Sequence, residues 1–148
     1  MIKVQAEAFE VSSEYAQIVA STRAKAGAVC FFVGLVRDFG DHNNVVAIEL
    51  EHYPGMTEKA LQKLCDEASA RWPLDEVRLI HRIGRLDSGD EIVFVATASA
   101  HRSAAFASCE FIMDALKTEA PFWKKEIRTD GGDWVEAKES DQQRRQKW

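Results

Sequence analysis

Apolar and polar residues alternate from the first positions of the chain. Ile2, Val4, Ala6 and Ala8 fall on one side and Lys3, Gln5 and Glu7 on the other, the period of a half-buried strand. Ser12 or Ser13 then caps a short helix in which Tyr15, Ile18 and Val19 share a face. Gly27 closes the connection. Ala28 to Val36, broken only by Gly34, is a continuous apolar stretch and predicts a central strand, buried on both faces. The segment 38–44 is a polar loop of turn-forming residues, and Val45 to His52 is a further strand with Val46, Ile48 and Leu50 on one face.

Tyr53-Pro54-Gly55 reads as a turn and Thr57 as the cap of a helix. Ala60, Leu61, Leu64, Cys65 and Ala68 recur along that helix at its spacing, and Pro73 stops the pattern. Val77 to Ile83 and Glu91 to Ala98 predict two strands around a hairpin turn at Leu86-Asp87-Ser88-Gly89-Asp90. A third helix runs from about Arg102 to Lys117 with Ala105, Cys109, Ile112 and Leu116 inward, and Pro121 bars its continuation. Phe122 to Arg128 and Trp134 to Ala137 frame a second hairpin. The residues from Ser140 onward read as a mobile or partner-ordered tail. Strands and helices mix without strict alternation, which predicts an α+β domain on a largely antiparallel or mixed sheet. The division expected is one domain over 1–138 and a charged C-terminal tail over 139–148.

Composition narrows the function classes. The chain has 148 residues, 46% hydrophobic and 29% charged, with 19 Lys+Arg against 24 Asp+Glu and a formal net charge of −5. That suits one packed domain and not a disordered chain. An acidic balance also disfavours a general nucleic-acid binder, which relies on neutralising phosphates. The longest apolar run, Ala28 to Val33, is far short of the roughly 20 residues a bilayer requires. Met1-Ile2-Lys3-Val4 lacks the layout of a signal peptide, so the expected location is the cytoplasm, with no membrane partner. Cys30, Cys65 and Cys109 have no paired spacing and read as small core hydrophobes. His42, His52, His81 and His101 are scattered, so neither a metal site nor a bound cofactor is expected. There is no glycine-rich nucleotide loop and no G-x-S-x-G elbow.

The distribution of charge is more telling than its sum. From His101 to Arg128 the charges total +1, so the rest of the chain carries −6. A modest cationic site in an acidic protein suits a small anion. Arg37 ends the most apolar strand. His101-Arg102 stands at a helix start, where free backbone N–H groups and the helix dipole attract anions. Lys117 falls at that helix's end, where pairing with the dipole is the plain alternative to a catalytic role. Lys124 lies beside Phe122 and Trp123, and apolar surroundings can lower a lysine's pKa enough for acid–base work.

Taken together, Glu51-His52-Tyr53-Pro54-Gly55-Met56, His81-Arg82-Ile83-Gly84, Gly89-Asp90-Glu91-Ile92-Val93, Ser99-Ala100-His101-Arg102-Ser103 and Leu116-Lys117 are distinctive. With Ala120-Pro121-Phe122-Trp123-Lys124-Lys125-Glu126 and Trp134-Val135-Glu136-Ala137, they make the chain resemble the large, catalytic subunit of molybdopterin synthase over nearly its whole length. The resemblance implies an α/β hammerhead fold with an additional antiparallel β subdomain. It implies a sulfurtransferase of molybdenum cofactor biosynthesis that converts a cyclic pyranopterin monophosphate into molybdopterin by installing the dithiolene sulfurs. The sulfur arrives as a thiocarboxylate on the Gly-Gly C-terminus of a small ubiquitin-like carrier. The implied assembly is a heterotetramer around a homodimer of large subunits.

Carried over by position, Lys117 and Lys124 match the family's two active-site lysines. Arg37, ending Leu35-Val36-Arg37, matches its pocket arginine, and Phe32 and Met113 match the pocket wall. His101 and Arg102 match the anion-binding pair that the family draws from the neighbouring large subunit. Lys124-Lys125-Glu126 corresponds to a substrate-contacting run. Lys138 stands where an arginine is expected, so charge is kept but the bidentate fork is lost. Two other readings stay open at this point: a non-catalytic α+β small-anion-binding or scaffold module, and a cysteine-dependent sulfur carrier.

Overall fold

The computed structural model describes residues 1–37, 45–129, 131–135 (backbone path) and 139–148. Two sheets, each of four strands among the described residues, are joined by the chain crossing between them. The first contains β1 (Ile2–Gln5), β2 (Ala28–Leu35), β4 (Leu74–Arg82) and β6 (Glu91–Ser99), in the order β1-β4-β6-β2. The pair β1 and β4 is parallel and the others are antiparallel. The second contains β3 (Val45–His52), β5 (Gly84–Leu86), β7 (Phe122–Arg128) and β8 (Gly131–Val135), antiparallel throughout, in the order β5-β3-β7-β8. The expected α+β hammerhead with an added antiparallel sheet is borne out.

Strand alternation decides what each face of the first sheet meets. Phe94, Ala96 and Ala98 of β6 join Ile80 of β4 under α1 (Val11–Thr22), where Ile18 is the buried apolar residue of the helix. Val93 and Val95 with Leu79 face the other way. They pack against Leu61, Leu64, Cys65 and Ala68 of α2 (Met56–Arg71) and Cys109, Phe111, Ile112 and Ala115 of α3 (Arg102–Glu119). Thr97 Oγ donates to the Ala105 carbonyl at 2.7 Å and Cys109 Sγ lies 3.8 Å from that of Val95, so α3 runs antiparallel to β6 and parallel to β2. A third, smaller cluster of Val36, Ile48, Leu50 and Leu86 fastens the two sheets together.

Several sequence expectations need correction. Strand β2 lies at the sheet edge, and Phe31, Phe32 and Leu35 are exposed: its apolar run is not explained by burial within one chain. Tyr15 and Val19 are exposed as well, because only Ile18 of that face reaches the sheet. The first strand stops at Gln5, so Ala6 and Ala8 fall outside it. Helix α1 begins before either serine, with Glu10 at its N-cap and Ser12 Oγ donating to the Glu10 carboxylate at 2.8 Å. Val46 is exposed because the pairing of β3 with β7 slips between Val45 and Ala47. Helix α2 is capped at Gly55, whose N–H donates to the Glu58 carboxylate at 2.6 Å. Thr57 lies inside that helix, fully buried. It accepts from the Tyr53 N–H at 2.9 Å and donates to the Pro121 carbonyl at 3.0 Å.

Strands β4 and β6 do pair, but their connection is no simple hairpin: β5 departs to the second sheet in between. The second hairpin turns earlier than expected, since β8 starts at Gly131, opposite Arg128. The terminal residues form α4 (Glu139–Arg145), docked on α3. Arg144 Nε donates to Asp114 at 2.9 Å and the Trp148 indole N–H to the same carboxylate at 2.6 Å, with the Trp148 ring edge-on to Trp72 and Phe111. The expectation for the loop 38–44 lies outside the described residues, as does Lys138.

Candidate active site

The end of the first sheet where β2 and β4 finish and β6 begins gathers most of the candidate groups. Lys117 sits in the last turn of α3 and projects above that end, exposed. Beside it is a cavity of about 460 Å³. Its walls are Cys30, Phe31 and Phe32 from β2, Phe106, Cys109, Glu110, Met113, Asp114 and Lys117 from α3, and Asp141 and Arg144 from α4. Two of the three carboxylates there are engaged. Glu110 meets Arg144 at 2.8 Å and Lys147 at 3.0 Å, and Asp114 is held by Arg144 and Trp148. Among the described residues no carboxylate lies within ion-pair distance of Lys117, so its charge faces the opening uncompensated.

Arg37 follows the same end of β2 and is exposed. Its approach is fixed by Val36, whose N–H donates to the Asp90 carbonyl at 2.8 Å and whose carbonyl accepts from Gly89 at 2.6 Å. Gly89 makes that turn with φ +88°, a region costly for residues with a side chain. Val36 itself is buried in the inter-sheet cluster, so it anchors the arginine from below, while Leu35 is exposed beside it.

Lys124 reaches the region from the second sheet. It pairs with Leu50 across β3 and lies on the same face of β7 as Phe122, whose ring stacks on His81 at 4.0 Å. Alternation divides the run Lys124-Lys125-Glu126. Lys124 and Glu126 share this face, and Lys125 stands opposite Glu49 on the other. Glu126 accepts from Arg128 at 3.2 Å.

His101 and Arg102 are at the other end of α3. The helix start is set by a close approach: the Gly27 N–H donates to the Ser99 carbonyl at 3.0 Å, and a Cβ on Gly27 would stand 2.3 Å from the Ala100 oxygen. Both residues are exposed, His101 at the N-cap. At 1.5 Å per residue, the fifteen steps from Arg102 to Lys117 span about 22 Å. Within one copy they cannot meet the same small ligand.

Sequence reasoning passed over His81, although the alternating row Val77-Leu79-His81 placed it on the face of β4 under α3. Burial pushes its pKa down to about 4, against the opposing effect of its hydrogen bond to the Arg82 carbonyl; the nearby Lys117 charge pushes it down further. The thiols are poor nucleophiles: burial pushes Cys65 up to about 12 and Cys109 up as well. Among the described residues no cluster of His, Cys, Asp and Glu could hold a metal ion.

Fold and site together define a two-sheet α+β domain with an apolar cavity rimmed by cations. The family model described as "MoaE protein" matches residues 4–119, and the chain belongs to that family. It is 56% identical over 147 residues to the molybdopterin synthase catalytic subunit of Vibrio cholerae, covering 99% of this chain and 97% of that one. Its fold is similar to the molybdopterin biosynthesis MoaE protein of Burkholderia ambifaria, with a TM-score of 0.84 and 52% identity over 100% of this chain and 97% of the other. It is also similar to molybdopterin synthase of Staphylococcus aureus, with a TM-score of 0.81 and 32% identity over 90% and 95%.

Proposed function

We propose that this chain is the catalytic subunit of a molybdopterin synthase, a sulfurtransferase working in the cytoplasm. Its partner is a small ubiquitin-like carrier whose Gly-Gly C-terminal thiocarboxylate supplies sulfur to a cyclic pyranopterin monophosphate. The observation that carries the reading is Lys117, an uncompensated cation at the mouth of an apolar cavity that Phe32 and Met113 line. The cavity offers room for a narrow peptide tail and the cation a partner for its anionic end.

Phosphate and thiocarboxylate repel one another, and Arg37, His101 and Arg102 offset that repulsion. As sulfur attacks carbon and oxygen departs, a proton must move, and Lys117 and Lys124 are the acid–base groups at hand. Lys125, Glu126 and Lys138 complete the substrate contacts in this reading. No cysteine is required, since the sulfur arrives already activated.

The remoteness of His101 and Arg102 supports a site shared by two copies. Strand β2 is an edge of eight residues with no charged side chain, and Phe31 and Phe32 are exposed on its two faces. Such an edge invites pairing. Antiparallel pairing of β2 with β2 of a second copy, about a two-fold axis normal to the sheet, sets its Ala28 end beside Leu35. Since α3 runs parallel to β2, the second copy's His101 and Arg102 then come to the end that holds Arg37 and Lys117.

The test is incubation with precursor and thiocarboxylated carrier, with the dithiolene product read by mass spectrometry. Product is expected from the wild-type chain. A chain that binds carrier and precursor yet never transfers sulfur would sink the reading in favour of a binding module.

A further inference from the structure

Helix α3 sets a row of charges along the cavity. Glu110, Asp114 and Lys117 follow one another at i, i+4 and i+7, one face of a helix, and all three line the cavity with Asp141 and Arg144 of α4. The lining therefore carries three carboxylates against two cations. Left bare, that row would work against an anionic ligand. It would repel the carrier's charged tail, and Asp114, three residues before Lys117, would draw that lysine to itself along the helix.

The C-terminal residues change the balance. Arg144 Nη2 donates to Glu110 at 2.8 Å and its Nε to Asp114 at 2.9 Å, so one guanidinium spans both carboxylates. Lys147 Nζ adds a second cation on Glu110 at 3.0 Å, and the Trp148 indole N–H a second donor on Asp114 at 2.6 Å. The Asp114 side chain is only 6% exposed, so a charge left there without a countercharge would be screened little. Arg144 is not what holds α4 in place. Arg145 Nε donates to Glu119 at 2.5 Å, Arg71 Nη1 donates to the Trp148 carbonyl at 3.0 Å, and the Trp148 ring meets Trp72 and Phe111 edge-on. The Arg144 side chain itself is 55% exposed, so packing does not demand an arginine there.

We propose that Arg144 is a positioning residue for sulfur transfer: by spanning Glu110 and Asp114 it cancels the acidic row of α3, so that the cavity admits an anionic tail and the Lys117 charge stays directed at it. The proposal rests on the reading of this cavity as the place where the carrier's tail is received. A guanidinium suits the task better than an ammonium, because its planar fork reaches two carboxylates at once.

The test is steady-state turnover of the full-length chain with precursor and thiocarboxylated carrier, at low ionic strength and at about 0.5 M salt. At low salt Arg144→Gln is expected to raise KM for the carrier about fivefold relative to wild type, with kcat within about twofold; at high salt the rise should shrink below about twofold. Arg144→Lys keeps the charge and is expected to recover part of the loss. Arg144→Gln combined with Glu110→Gln restores the balance of charge and is expected to return KM to within about twofold of wild type. A native KM in Arg144→Gln overturns the proposal. So does a raised KM that neither salt nor the second substitution repairs, since that marks a loss of structure and not of charge. Lys117→Ala run in parallel separates the two readings. If that variant is fully active, the reading of the cavity falls and the proposal with it. If it is inactive while Arg144→Gln keeps a native KM, only the role of Arg144 falls.

Discussion

Strands β6 and β7 are each paired on both sides, yet they do opposite work. β6 reads Glu91-Ile92-Val93-Phe94-Val95-Ala96-Thr97-Ala98-Ser99, and helices cover both of its faces, so that everything from Val93 onward is buried. β7 reads Phe122-Trp123-Lys124-Lys125-Glu126-Ile127-Arg128 and stays half-buried apart from the exposed Trp123, with no helix laid along it among the described residues. The first strand can spend all its side chains on packing because its environment is dry on both sides. In the proposed function the second keeps Lys124 for a ligand, and it is held at one end, where Phe122 stacks on His81 and Thr57 bonds the Pro121 carbonyl. Stability and chemistry are therefore separable here, and substitutions should sort accordingly.

The largest effect is expected at the chemical end. Lys117→Ala should cut product formation about 10³-fold, some 4 kcal/mol of transition-state stabilisation, in a carrier-dependent assay. Its melting temperature should stay within a few degrees of wild type, because the side chain is exposed. A Lys117→Ala chain that melts far lower would erase the distinction between the two regions. On the packing side, Phe94→Ala removes a fully buried ring that contacts Phe9 and Phe31 at centroid distances of 6.0 and 5.7 Å. It should cost about 3–5 kcal/mol in urea unfolding while leaving the turnover of the folded fraction near native.

Acid tests the junction between the two regions. The folded-state pKa of His81 lies near 4, below its ordinary value of 6.5, so the unfolded chain binds the proton more readily. This group contributes no pH dependence above about pH 7. Stability falls as the pH drops from 6.5 towards 4, by about 3 kcal/mol from this ring alone. The His81→Phe chain should lack that fall between pH 6.5 and 4; an acid profile identical to wild type would contradict the assignment. The smallest effect belongs to Thr57→Val. It deprives the Tyr53 N–H of its acceptor and the Pro121 carbonyl of a donor, at a cost of about 1–3 kcal/mol by thermal melting. Activity should fall more than stability explains, since the entry to β7 loosens.

How much of this was legible in the sequence depends on what each pattern reports. The helix that became α3 and the strands β3 and β7 were readable because their periodicity and Pro121 are local signals. The edge position of β2 was not, since an apolar run reports that a strand is covered and not by what. β5 was invisible because three residues carry no period, and α4 because its anchorage depends on Trp148 reaching Trp72 and Phe111 across the fold. The cationic groups Arg37, Lys117 and Lys124 were found by position and resemblance. His81 was missed because a lone histidine on an apolar face reads as core, and its stack on Phe122 joins strands far apart in the sequence. The run Lys124-Lys125-Glu126 was read as one unit, and only its place on a paired strand puts Lys125 on the face opposite Lys124.

The central claim is that one working site draws Lys117 from one copy and Arg102 from another. Co-expression of Lys117→Ala with Arg102→Ala chains tests it directly. Each variant alone is expected to be inactive. In the mixed population, half of the dimers hold one chain of each kind, and one of their two sites is intact, so about a quarter of wild-type product formation should return. A mixture no more active than its parents would contradict the account.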